Sequence, residues 1–139
     1  MNTVSVRGGA EGFAQAIEVG RHRLTADEPA PAGGDAGPSP YDYLLVALGS
    51  CTSMTIALYA RRKQWPLTGV VVRLEHSRVH AADCAECETR EGKLDRIDSE
   101  ITLEGPLSDE QRTRLLEIAE RCPVHRTLTS EISIRTRLA

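Results

Sequence analysis

Ser39-Pro40-Tyr41-Asp42-Tyr43-Leu44-Leu45-Val46-Ala47-Leu48-Gly49-Ser50-Cys51-Thr52-Ser53-Met54-Thr55-Ile56 is the stretch on which the fold turns. It opens as a helix start. Ser39 serves as N-cap, Pro40 takes the first helical position, where its missing N–H costs nothing, and Asp42 follows where a carboxylate can satisfy free amides. The helix is expected to run to about Lys63, because Pro66 closes the segment. Its apolar positions Tyr41, Leu44, Leu45, Leu48, Thr52 and Ile56, with Cys51 among them, cover so much of the circumference that both sides must be buried. Such a helix belongs at the centre of a protein or across an interface.

Upstream, Val4 and Val6, then Phe13, Ile17 and Val19, alternate at period two, and the Gly8-Gly9 and Gly20 breaks predict an antiparallel meander reaching about Thr25. Between Glu28 and Pro38 the chain is rich in Pro, Gly and Ala and reads as a mobile loop. Downstream, Val70, Val72 and Leu74 alternate with Val71, Arg73 and Glu75 in a strand reaching His80, and Ile97, Ser99, Ile101 and Leu103 give another, closed by Gly105-Pro106. Ser108 with Gln111 forms a capping-box signature, after which Leu115, Ile118, Ala119 and Cys122 recur at helical spacing until Pro123. A last strand is expected at Ile132, Ile134 and Leu138. The order predicts an α+β protein with helices packed on antiparallel sheet, and no repeat or second domain interrupts residues 1–139.

Composition narrows the function. A chain of 139 residues fits one domain with a core large enough to need no staples. A net charge of -3 leaves no basic footprint for nucleic acid. The first residues lack a basic segment followed by an apolar one, and nowhere do about 18 apolar residues run together, so a cytoplasmic protein without a membrane segment is expected. In that compartment thiols stay reduced, and four cysteines point to reactive or metal-binding sulfur before structural disulfides.

Each cysteine carries a plain reading and a chemical one. Cys51, about three turns inside the first helix, is a small core hydrophobe or a reactive thiol. Gly49-Ser50 beside it lowers helix stability, and the pair admits either a close approach from a neighbour or a break that would put Cys51 at a new helix N-terminus. An unbroken helix would leave thiolate stabilisation to a cation. Cys122, placed at the C-terminal end of the second helix, should have its thiolate disfavoured by the exposed carbonyls, which suits a resolving thiol. His125 and Arg126 beyond it either offset that field or cap carbonyls. Cys84 and Cys87 form a C-x-x-C preceded by His76 and His80, a set of zinc ligand types in which Cys84, Cys87 and His80 with one further ligand are the easiest to gather. The surrounding Asp83, Glu86, Glu88 and Glu91 disfavour thiolates, leaving a metal site, a reversible disulfide and a quiet acidic loop as the three readings.

The run Gly37-Pro38-Ser39-Pro40-Tyr41-Asp42 through Gly49-Ser50-Cys51, taken with Cys122-Pro123-Val124-His125 and the elements between, resembles the OsmC/Ohr family of bacterial thiol-dependent hydroperoxide reductases from about Gly33 onward. The resemblance implies an intertwined homodimer with the long central helices between subunits and active sites at their interface. It also implies Cys51 as peroxidatic thiol and Cys122 as resolving thiol, with the resulting disulfide reopened by a small thiol or a dithiol such as a lipoylated protein, and no cofactor required. In the branch selective for organic hydroperoxides a glutamate follows the opening proline and orients an arginine over the thiolate. Tyr41 stands at that position here, and Asp42, one residue on, points about 100° around the helix, where it can cap the N-terminus. The arginine would come from the early strands, as Arg7, Arg21 or Arg23. The sequence is thus closer to the broader OsmC-like branch. A peroxidase protecting against oxidative stress, acting on organic hydroperoxide or hydrogen peroxide, is the leading expectation, and a non-catalytic ligand- or zinc-binding dimer is the alternative.

Overall fold

The computed structural model describes residues 2–139. Contacts divide the chain into two compact units, Met1–Leu44 and Leu45–Ala139.

The first unit holds a meander of β1 (Val4–Gly8), β2 (Gln15–Val19) and β3 (His22–Ala26), antiparallel in the order β1-β2-β3. Val6, Ile17 and Leu24 sit opposite one another, as the period-two pattern requires. Val19 pairs with His22 across a two-residue turn led by Gly20 at φ +58°, a backbone that suits glycine. Phe13, expected in a strand, lies in the turn before β2 and is exposed.

The loop that follows is not slack. The buried Asp27 carboxylate accepts hydrogen bonds from the amides of Glu28 (2.8 Å), Gly34 (3.2 Å) and Ala36 (3.1 Å), while its own N–H donates to Pro38 O at 3.1 Å. One residue, through its side chain and its backbone N–H, thereby ties both ends of a segment whose composition reads as mobile.

Helix α1 (Pro40–Lys63) begins as predicted: the Asp42 N–H donates to Ser39 Oγ at 3.2 Å and the Ser39 N–H donates to Asp42 Oδ2 at 3.0 Å. By length and composition α1 would also span a membrane, but it buries Leu48, Gly49, Thr52, Ile56 and Ala60 within the protein.

In the second unit α1 is followed by β4 (Gly69–His80) and β5 (Lys93–Glu104), a twelve-residue antiparallel hairpin with Val70 opposite Leu103 and Val72 opposite Ile101. Then come α2 (Asp109–Ala119), with the Ser108–Gln111 capping box formed in both directions, and α3 (Pro123–Leu128). Ile56, Ala60, Leu107, Leu115 and Ala119 make the core, flanked by Tyr59, Trp65, Leu67, Val70, Ile101 and Leu103. Complete burial of Ile56 and Leu115 is worth about 1.5–3 kcal/mol for each side chain.

Two expectations need correction. The second helix stops at Ala119 instead of reaching Pro123; its last turn tightens through Arg121 N–H to Ile118 O (2.9 Å) and Cys122 N–H to Ala119 O (3.3 Å). Pro123, which needs no hydrogen-bond partner for nitrogen, then starts α3. The alternating Ile132, Ile134 and Leu138 form no strand among the described residues; they lie exposed, with no neighbouring strand to complete a ladder. The resulting α+β fold, antiparallel sheet with a long central helix, is the architecture expected.

Candidate active site

Cys51 lies well inside α1, and Gly49-Ser50 does not break that helix. The glycine answers a close approach. A β-carbon at position 49 would stand 2.8 Å from Leu74 Cδ1 of β4, so the bare backbone lets hairpin and helix draw together. Ser50 turns its hydroxyl back to Val46 O (2.6 Å), and Thr52 does the same to Leu48 O (2.8 Å). Cys51 therefore gains nothing from the N-terminus of its own helix.

Cys122 is in the opposite situation. It is completely buried and occupies the N-cap position of α3, at the junction where α2 ends. The amides of His125 and Val124 point at its sulfur, and the Thr52 side chain lies against it. The Cys51 and Cys122 thiols face each other, Cys51 as the donor and Cys122 as the acceptor, while the Val124 amide and the Thr55 hydroxyl reach Cys51. Neither thiol is in a disulfide, and Cys51 is the more accessible of the two.

This geometry reverses the expected order of proton affinities. Burial pushes Cys51 up, and the Cys122 sulfur, which prefers a proton on its neighbour, pushes it further; Val124 and Thr55 only partly compensate. Burial also works against a Cys122 thiolate, but the Cys51 S–H, the His125 and Val124 amides and the Thr52 hydroxyl together outweigh it and hold Cys122 below the ordinary thiol value. The expectation that helix carbonyls would disfavour the Cys122 thiolate came from running α2 too far. With the helix ended at Ala119, Cys122 faces amides. Of the two thiols, Cys122 is the one whose anion the surroundings favour and Cys51 the one that holds its proton more firmly.

Asp42 is engaged in the α1 capping box. Arg7 is on β1 and Arg21 in the β2–β3 turn, both exposed. Arg23 is on β3, donating to the carbonyls of Gly20 and His22 (3.3 Å each) and facing Glu18 at 3.6 Å. His125 contributes its backbone amide to Cys122. Sequence reading names Thr52 only as part of a buried helix face and Val124 only within the Cys122 motif, and it passes over Thr55, although Thr55 stands one helical turn beyond Cys51 and that spacing marks it as a neighbour.

The zinc reading of the C-x-x-C does not match the structure. Cys84 and Cys87 are joined in a disulfide, which has no thiolate to offer a metal, and among the described residues no group of three or more His, Cys, Asp or Glu could hold an ion. His76 is engaged by Asp95 at 2.8 Å, and His80 ends β4 opposite Lys93.

Comparison with known proteins supports the same fold. Residues 33–137 match the family described as OsmC-like protein. No curated protein matches the chain in sequence. Among solved structures, an OsmC-like protein from Mycoplasma pneumoniae is 20% identical, with a TM-score of 0.72 over 92% of this chain and 86% of that one. An organic hydroperoxide resistance protein OsmC from Legionella pneumophila is also 20% identical, with a TM-score of 0.67 over 93% and 89%. The organic hydroperoxide resistance protein OhrB of Bacillus subtilis is 17% identical, with a TM-score of 0.63 over 93% and 90%. At these identities the likeness is one of fold.

Proposed function

The chain belongs to the OsmC-like family, whose members include organic hydroperoxide resistance proteins, and from that premise we propose that it is a thiol-dependent peroxidase working through a Cys51/Cys122 couple. The observation that carries this reading is the juxtaposition of two free thiols drawn from distant parts of the sequence, close enough that each shifts the other's proton affinity. Access and proton affinity divide the labour. Cys51, the more accessible sulfur, attacks the peroxide; Cys122, whose thiolate is the better stabilised, receives the Cys51 proton as the attack proceeds. The Cys51 sulfur takes the outer peroxide oxygen and becomes a sulfenic acid, the O–O bond breaks, and the alkoxide leaves with a proton from the Cys122 thiol or water. Cys122 then attacks the sulfenic sulfur, forming the Cys51–Cys122 disulfide and expelling hydroxide, which becomes water. A small thiol or a dithiol such as a lipoylated protein returns the pair to the reduced state with two electrons and two protons.

The working unit in this reading is a cytoplasmic homodimer. On α1, Val46, Met54 and Leu58 lie along one stripe at multiples of four residues, with Met54 70% exposed, and a second copy would cover them. Hydroperoxide consumption with a dithiol reductant tests the assignment. Cys51→Ser is expected to abolish turnover, and Cys122→Ser to leave at most slow recycling through external thiols. Unchanged turnover in Cys51→Ser would end the proposal. The cation that the resemblance attributes to the early strands is sought by substituting Arg7, Arg21 and Arg23 singly in the same assay.

A further inference from the structure

The β4–β5 hairpin ends in a loop whose chemistry the Cys51/Cys122 couple does not use. Residues 81–92 open with a short 3-10 turn, Ala81–Asp83, and the loop is held by Ala81 N–H to Gly92 O (2.8 Å), Cys84 N–H to Ala81 O (3.1 Å) and the Cys84–Cys87 disulfide. The disulfide spans three positions of sequence, with Cα atoms 5.4 Å apart. Its two sulfurs are not equivalent, since Cys84 is 3% exposed while Cys87 is half-buried. We propose that Cys84 and Cys87 are a second dithiol–disulfide centre, reduced and reoxidised by an uncharged dithiol and its disulfide, whose state sets the order of the 81–92 loop.

Accessibility dictates the course of the exchange. A thiolate of the incoming dithiol attacks the Cys87 sulfur, the Cys84–Cys87 bond breaks, and the Cys84 thiolate leaves into its buried position and takes a proton. The second thiol of the reductant then attacks the mixed disulfide, releasing Cys87 as a thiol and closing the reductant into its own disulfide. Two electrons and two protons have passed to the protein. Charge selects the partner. Asp83, Glu86, Glu88 and Glu91 are exposed around the pair, against Arg90 and Lys93, so a thiol carrying further carboxylates meets repulsion that an uncharged one does not. Opening the bond removes a cross-link from a loop otherwise held by single backbone hydrogen bonds, and reduction therefore loosens it.

The test uses the full chain with Cys51 and Cys122 both replaced by serine, so its result is independent of the peroxidase assignment, and the unaltered chain in parallel with thiols located by peptide mapping. Under native conditions dithiothreitol is expected to expose Cys84 and Cys87 to iodoacetamide, and oxidised dithiothreitol to close them again. Amide exchange in residues 81–92 should quicken roughly tenfold or more on reduction, with the β4–β5 ladder unchanged. Glutathione should react more slowly than dithiothreitol, by a margin that narrows as salt rises. A bond that opens only after denaturation would be a static staple and would overturn the proposal. So would a dithiol that oxidised dithiothreitol fails to close, or one that holds zinc one to one; a margin unmoved by salt would overturn the charge selection.

Discussion

Replacing Cys51 by alanine removes one hydrogen-bond donor from the buried Cys122 thiolate and leaves the His125 and Val124 amides in place. A hydrogen bond to an ionised group is worth about 1.5–3 kcal/mol, and a weak S–H donor belongs near the lower figure. About 1.4 kcal/mol is a factor of ten, so the ratio of thiolate to thiol at Cys122 should fall roughly tenfold at any pH below the midpoint. The sign follows from the geometry: losing a donor to the anion favours the protonated form, and titration moves to higher pH. Cys51→Ser is the matched control, because its hydroxyl can donate in place of the thiol. With Cys84 and Cys87 oxidised, ultraviolet thiolate absorbance followed against pH reports Cys122 alone in both variants. Alanine and serine variants that titrate together would show that the two thiols are not in contact, and the division of labour proposed for them would fall.

Three further outcomes follow from other parts of the structure. Ile56→Ala empties a completely buried position in the core and should cost about 2–5 kcal/mol in denaturant unfolding; a loss below 1 kcal/mol would mean that the α1–α2 packing is not as described. Asp27 is held below the usual carboxylate range by the amides of Ala36, Glu28 and Gly34 against the opposing effect of burial, so its contribution to stability is complete above the usual carboxylate pKa and is lost as pH falls through the lowered one. Asp27→Asn should therefore destabilise the protein at neutral pH, with the gap to the parent closing in acid; a gap that is constant with pH would contradict this. Met54→Asp places a charge on the exposed apolar stripe of α1 and should convert the proposed dimer to a monomer in sedimentation, whereas an unchanged dimer would place the interface elsewhere.

Much of the fold and of the site is legible in the sequence, for reasons that differ by element. The start of α1 is local chemistry: Ser39, Pro40 and Asp42 specify a cap whatever lies around them, and the cap forms as written. The period of β4 and β5 likewise follows from alternation that needs no knowledge of partners. The end of α2 was misplaced because Cys122 continues the helical spacing of Leu115, Ile118 and Ala119, and periodicity cannot tell a helix from a tight turn that preserves the same face. That single boundary decided the electrostatics of the site, turning carbonyls into amides around Cys122. The strand expected at Ile132 and Ile134 has the right alternation but no ladder within the described chain, since a strand is defined by its neighbour and not by itself. Gly49 was recognised as unusual, yet whether it broke the helix or admitted Leu74 depended on a contact with β4 that no local rule supplies.

In the proposed chemistry Cys51 and Cys122 form one redox couple. Mixing the reduced protein with one equivalent of an organic hydroperoxide, quenching with an alkylating agent and mapping the peptides by mass tests it most directly. The expected product is a single new disulfide joining Cys51 to Cys122 within one chain, with loss of both free thiols. Cys51 left as a sulfenic acid with Cys122 still open to alkylation, or both thiols untouched even when the peroxide is raised to excess, would contradict it.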